Sequence, residues 1–197
     1  RVQLPRRVID LAIPVVVVLL PLLVFHSMLG NRPAYPFSQS NLPTGVVRFL
    51  NQHAPGGKIL NEANTGGYFP WALNPQFKIY MDMQMTIFSD VDFAIASNAF
   101  FNANVFKAFI QKYDPSFISI SLNRPYFKKV VESDTRFVPV FFDQAEVLYV
   151  NKSHHSDLAG RYALKAIDPF SYAEIIYADE SAEKLAEIFS EASRILD

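Results

Sequence analysis

The chain has 197 residues, room for one domain and an appended segment but not for two domains of ordinary size. Half of the residues are hydrophobic and 14% aromatic, which excludes a disordered polymer, and 18 Lys and Arg against 19 Asp and Glu leave a net charge of −1, which argues against nucleic acid as a partner. With no Cys, disulfides, thiolate zinc sites, iron–sulfur clusters and cysteine nucleophiles are all excluded, while the compartment stays open.

The first predicted element is a membrane helix. Val8 to Leu29 carries one formal charge, Asp10, and as a helix rising ~1.5 Å per residue it reaches about 33 Å, enough to cross a hydrocarbon core. Pro14 and Pro21 inside it are tolerated where neighbouring helices re-satisfy the freed carbonyls. Arg1, Arg6 and Arg7 precede the run and only Arg32 closely follows it, so the positive-inside bias expects a cytoplasmic N-terminus and an extracytoplasmic remainder at the cytoplasmic membrane. The alternative is a signal peptide with a basic region Arg1 to Arg7 and an apolar region Leu11 to Phe25, although no small-x-small cleavage site follows. A chain that opens on Arg1 and stops at Asp197 within a helical stripe is expected to be part of a longer polypeptide.

Residues 31–57 read as a linker and a short helix. Asn31 to Asn41 is rich in Pro, Ser and Asn, and Asn41 or Thr44 is expected to cap a helix reaching His53, with Val46, Val47, Phe49 and Leu50 on one face. Residues 58–164 alternate strands and helices: strands Lys58 to Glu62 and Phe77 to Met81, helix Asn104 to Tyr113, strand Phe117 to Leu122, helix Pro125 to Ser133, and strands Phe137 to Phe142 and Val147 to Asn151 around a turn at Asp143 to Ala145. The expected fold class is α/β: an N-terminal transmembrane helix, then a small, mainly parallel α/β sandwich, then a C-terminal helical pair. That pair occupies residues 165–197, which hold three basic and eight acidic side chains. Asp168-Pro169 opens its first helix, to about Tyr177, and Asp179 or Ser181 caps the second, with Leu185, Ile188, Phe189, Ala192 and Leu196 in a stripe. The pair could begin an array of tetratricopeptide-like repeats or dock on the sheet as a terminal helix.

Phosphate-loop, dinucleotide, zinc-protease and nucleophile-elbow motifs are all missing, so no catalytic residue and no metal ligand set is assigned. The most informative stretch is Asn61 to Trp71. Gly66 and Gly67 form a structural turn that permits unusual backbone angles or close approach, and Tyr68 and Trp71, one helical turn apart, would make an aromatic platform at the edge where α/β sheets bind ligands, or else fill the core. Glu62 and Asp82 end neighbouring strands, where they could serve as acid and base, as cation ligands, or as ordinary caps and ion-pair partners. Asp90 and Asp92 read as helix caps, His154-His155 as a solvated loop, Lys128 and Lys129 as water-facing, and Asn151-Lys152-Ser153 as an N-glycosylation match of the kind chance supplies.

Taken together, the terminal membrane helix, Tyr35-Pro36, Gly66-Gly67-Tyr68 followed by Trp71, Pro75, and Lys78-Ile79-Tyr80-Met81-Asp82 resemble the extracytoplasmic C-terminal domain of polytopic GT-C-class membrane glycosyltransferases of the oligosaccharyltransferase and dolichyl-phosphate-mannose-transferase type, including bacterial ones that run on into tetratricopeptide repeats. The resemblance covers about residues 8 to 151. It implies a parent enzyme that transfers a sugar from a polyprenyl-phosphate-linked donor, with its catalytic acid in a loop outside this chain. It also implies acceptor-side roles for Tyr68, Trp71, Asp82 and Glu62. Partners would be the lipid bilayer, the lipid-linked sugar and proteins met through the C-terminal helices; no cofactor is identified in these residues, and a divalent cation is compatible with the parent. Where oligosaccharyltransferases carry Trp-Trp-Asp-Tyr-Gly this chain reads Asn64-Thr65-Gly66-Gly67-Tyr68, and where the family has Asp-Gly-Arg it reads Asp82-Met83-Gln84. A membrane-anchored interaction module and a small-molecule-binding domain with a polar pocket lined by Glu62, Tyr68 and Asp82 are the competing expectations.

Overall fold

The computed structural model describes residues 6–30, 41–82, 89–171 and 181–196, in two compact units, 1–38 and 39–197. In the first unit Arg6–Gly30 forms helix α1, with Pro14 and Pro21 inside it. Apolar side chains from Val15 to Phe25 are exposed all round it. Among the described residues no helix is long and apolar enough to cross a membrane, so the expected transmembrane helix draws no support there. The linker expected over Asn31 to Asn41 lies almost wholly outside the described residues.

The second unit is built on a five-stranded sheet of β1 (Gly57–Asn61), β2 (Phe77–Ile79), β3 (Phe117–Ser121), β4 (Phe137–Phe142) and β5 (Glu146–Asn151), in the order β2-β1-β3-β5-β4. β1 pairs parallel with β2 and β3, whereas β5 lies antiparallel between β3 and β4. The sheet is therefore mixed rather than mainly parallel. A hairpin turn two or three residues long can only return antiparallel, and the turn after Phe142 sends β5 back into the gap between β3 and β4. Every residue of β5 is buried, as a central strand covered on both faces requires. Pro139 sits in β4, the edge strand, where its missing N–H costs no ladder bond, and the register shifts beside it.

Helices cover both faces. On one, Val46, Phe49 and Leu50 of α2 (Thr44–His53), Phe69 of the short α3 (Phe69–Ala72) and Leu158 of α7 (Ser156–Tyr162) pack on Ile59, Phe117, Leu148 and Val150. On the other, Ala99 of α4 (Asp90–Ala99), Phe106 and Ile110 of α5 (Ala103–Tyr113) and Phe127 of α6 (Pro125–Val131) pack on Leu60, Ile118, Ile120 and Tyr149. The alternation Ile59/Leu60 and Phe117/Ile118 feeds the two faces in turn. Each fully buried aliphatic or aromatic side chain contributes roughly 1.5–3 kcal/mol before chain entropy is set against it.

The helix ends are fixed by polar groups that chain order does not reveal. Neither Asn41 nor Thr44 caps α2: its preceding residue is Pro43, and no local side chain bonds there. The cap comes from the β4–β5 turn, where Asp143 Oδ2 accepts from Gly45 N at 2.9 Å and Val46 N at 3.0 Å while Oδ1 accepts from Ala145 N and Glu146 N. A Cβ on Gly45 would lie 2.9 Å from that of Asp143, so glycine is what lets the two elements approach. Ser89, with Asp92 in the first turn, caps α4, in place of the two aspartates expected to do so. Ser181 caps the last helix, α8 (Ala182–Leu196). Its expected companion, Asp168 to Tyr177, falls largely outside the described residues, as does Asp179. The end expected to be a helical pair therefore shows one described helix, and that helix is tied to the α/β unit by Glu191. Its buried carboxylate accepts from the backbone N–H groups of Lys165, Ala166 and Ile167 at 2.8–3.2 Å.

Candidate functional site

The chain leaves β1 at Asn61 and turns at once. The buried Asn61 amide donates to Glu62 O at 2.9 Å and to Met81 O at 2.8 Å, locking the end of β1 to the segment after β2. Gly66 lies so close to that segment that a Cβ would meet Met81 O at 2.3 Å and Asp82 Cα at 2.6 Å. The need for glycine at this turn is therefore close backbone approach, as one of the two expected reasons held. It falls on Gly66; Gly67 is exposed, and the positive-φ glycines among the described residues are Gly56 and Gly57.

This geometry sets Glu62 at the C-terminal ends of β1 and β3. Its Oε1 accepts from Ser121 N at 2.7 Å and its Oε2 lies 3.4 Å from Arg124 Nε. Burial pushes its carboxyl pKa up, against the opposing pull of the Ser121 N–H and the Arg124 charge. Beside it, on the strand that runs the other way, Ser121 pairs with Glu146. Glu146 is 1% exposed. Its Oε2 takes the Ser119 hydroxyl as partner, and its Oε1 has none among the described residues. The nearby Thr65 hydroxyl is committed to the carbonyl oxygen of Glu62 at 3.1 Å. Burial drives the Glu146 carboxyl up to about 8; the Ser119 and Thr65 hydroxyls oppose the shift, and the charges of Glu62 and Asp143 add to it. An unpartnered buried carboxyl oxygen costs free energy until something donates to it or it is protonated.

Glu62 and Glu146 line a cavity of about 370 Å³ with Asn64, Thr65, Asn123 and Gln144. Its size falls in the range of small-molecule sites, and its place at the carboxyl ends of parallel strands is where α/β sheets bind ligands. None of the described residues lining it is basic; Arg124 meets Glu62 from an adjoining cleft shared with Phe100 and Phe127. Such a lining repels phosphate and accepts donors.

Of the residues expected to form a site, only Glu62 lines this cavity. Tyr68 and Trp71 do meet, with ring centroids 6.0 Å apart at 42°, but the pair lies outside it. Trp71 is 69% exposed while Phe69 between them enters the core, so the stretch both builds a surface aromatic pair and fills the core. Asp82 is half-buried and does not line the cavity, which Glu62 shares with Glu146. Sequence reasoning missed Glu146 because it treated the strand as beginning at Val147. The available signal was Asp143-Gln144-Ala145-Glu146, a tight turn that makes the glutamate the first residue of a strand buried on both faces.

The remaining expectations divide. His154 is exposed, as a solvated loop expects, and His155 is half-buried. His154 Nε2 lies 3.2 Å from Asp114 Oδ2 and its Nδ1 3.2 Å from Ser116 Oγ, while the His155 ring stacks on Phe117 at 4.8 Å and burial pulls its pKa down. The Asp114–His154–Ser116 chain joins the end of α5 to the turn after β5, with Ser116 packed under Gly57, where a Cβ would lie 2.7 Å from its hydroxyl. Asn151 is fully buried and donates to Pro115 O at 3.2 Å, so the glycosylation match is closed to an enzyme in the folded protein. Lys129 is exposed, as expected, while Lys128 is half-buried and pairs with Asp168 at 2.5 Å. Among the described residues no group of three or more His, Asp or Glu is placed to hold a metal ion.

No family model, curated protein or solved structure matches the chain.

Proposed function

We propose that the chain is the extracytoplasmic C-terminal part of a polytopic GT-C-like membrane glycosyltransferase that uses polyprenyl-phosphate-linked donors, and that its cavity holds a polar group of the acceptor. The acidic cavity at the ends of β1 and β3 carries this reading: two carboxyls, amides and hydroxyls with no basic lining suit an acceptor and repel the phosphate of a donor. The reading takes the apolar run Val8 to Leu29 of the sequence as a membrane helix, with Arg1, Arg6 and Arg7 on the cytoplasmic side. The reacting carboxylate belongs to a loop outside this chain, and the residues here bind and orient. Trp71, exposed beside Tyr68, is a second contact for a sugar ring.

The test is transfer of radiolabelled sugar from a panel of polyprenyl-phosphate donors by the full-length polypeptide in lipid. Glu62→Gln with Glu146→Gln is expected to raise the acceptor KM about tenfold or more and leave the donor KM unchanged. No transfer with any donor overturns the reading. One observation favours a second reading, an interaction module: Phe189 of α8 is 70% exposed on an otherwise amphipathic helix. In that case proteins recovered through residues 39–197 would be lost with Phe189→Ser.

A further inference from the structure

The same cavity is lined by two carboxyls and by no described basic residue. We propose that it takes a ligand bearing a primary ammonium group, an amino sugar or comparable amine, held between the carboxyls of Glu62 and Glu146. The inference rests on the reading of this cavity as a ligand site and adds the chemical class of what enters it.

Four observations point the same way. Glu146 Oε1 is buried and has no partner among the described residues, so it calls for a donor. The second carboxyl, Glu62, lines the same space, held by the backbone N–H of Ser121, itself on the cavity wall, and by Arg124 from the adjoining cleft. No described lining residue is basic, and the cation that meets Glu62, Arg124, stands in the adjoining cleft. Finally, about 370 Å³ is room for a molecule of sugar size rather than a bare ion, and the third acidic or imidazole ligand that a tight cation site would use is missing among the described residues. An ammonium offers three donors, one for each glutamate and one for an amide oxygen of Asn64, Asn123 or Gln144. A neutral hydroxyl has a single proton and would leave one carboxyl oxygen unmet.

Proton balance separates the two classes. In the empty site burial keeps Glu146 protonated at neutral pH, and Glu62 and Asp143 act in the same direction on it. An ammonium that settles between the carboxyls ionises Glu146, and the displaced proton goes to solvent. A polyol displaces none.

The experiment is isothermal titration of the full chain at pH 7 with D-glucosamine, D-glucose and calcium chloride as probes, in two buffers of different ionisation enthalpy. Glucosamine is expected to bind at least about tenfold more tightly than glucose and to release up to one proton. Glu146→Gln, which keeps the shape and the bond to Ser119, is expected to remove both the preference and the proton release without lowering the Tm at pH 7. Equal binding of glucose and glucosamine overturns the ammonium inference and leaves the ligand site standing. Calcium binding without glucosamine binding overturns it in favour of a hard cation. Binding of no probe overturns the ligand site together with the inference.

Discussion

Glu146 is a carboxyl whose ordinary pKa, 4.5 here, is carried to about 8 by burial. The sign follows from proton counting: between those values the folded chain holds a proton that the unfolded chain has released, so this residue's contribution falls as pH rises from about 4.5 to about 8 and is constant above. Glu146→Gln should therefore stabilise the protein increasingly over that window, by a few kcal/mol at most. Thermal melting at pH 5 and pH 9 checks it, and a Tm difference from wild type that does not grow between the two counts against the buried, protonated state. Comparison with the variant isolates Glu146 from Glu62 and Glu132, whose carboxyls burial also pushes up. The glycine turn gives a second residue-scale expectation. Gly66→Ala should cost about 1–3 kcal/mol by forcing Met81 and Asp82 away, and Gly67→Ala, at an exposed position, should cost less. Urea midpoints of the two variants decide it. At this scale the sequence announced where a site would be better than what would be in it. Glu62 is readable as a strand-end carboxylate, but its neighbour is chosen by the register Ser121 to Glu146, a pairing of residues far apart in the chain.

Elements were more legible than the groups that join them. The runs Phe117 to Leu122 and Phe137 to Phe142 carry the apolar, β-branched and aromatic content of strands, and the structure keeps them within a residue or so. The direction of the last strand also follows from its short turn, yet the position it takes, inserted between β3 and β4, comes from burial of both its faces rather than from any local propensity. Helix α8 illustrates the same limit. Its stripe of Leu185, Ile188 and Phe189 suggested the face that packs, but Leu185 and Phe189 are exposed, and the helix is anchored on another side by Glu191 and by Ile195. Glu191→Ala strands three backbone N–H groups and should cost about 1–3 kcal/mol. Hydrogen exchange should quicken at Lys165, Ala166 and Ile167, and unchanged protection there would mean that the helix is held by its apolar contacts alone.

For the whole molecule, composition and strand–helix alternation were enough to reach the α/β class. They could not separate a mainly parallel from a mixed sheet, because strand order is decided by long-range packing on two faces at once. At this scale the proposed function rests on one cavity lined by two carboxyls from strands of opposite direction, and the transfer and titration experiments above are the measures of it.

The carboxylate of Asp143 reaches back across 98 residues to the amide of Gly45. As the chain is synthesised, the opening helix of the α/β unit thus has to wait, uncapped, until the turn before β5 has left the ribosome. A polypeptide cut short ahead of that turn lacks the group that finishes its first helix, and so the order of translation makes the earliest helix of this unit one of the last to be completed.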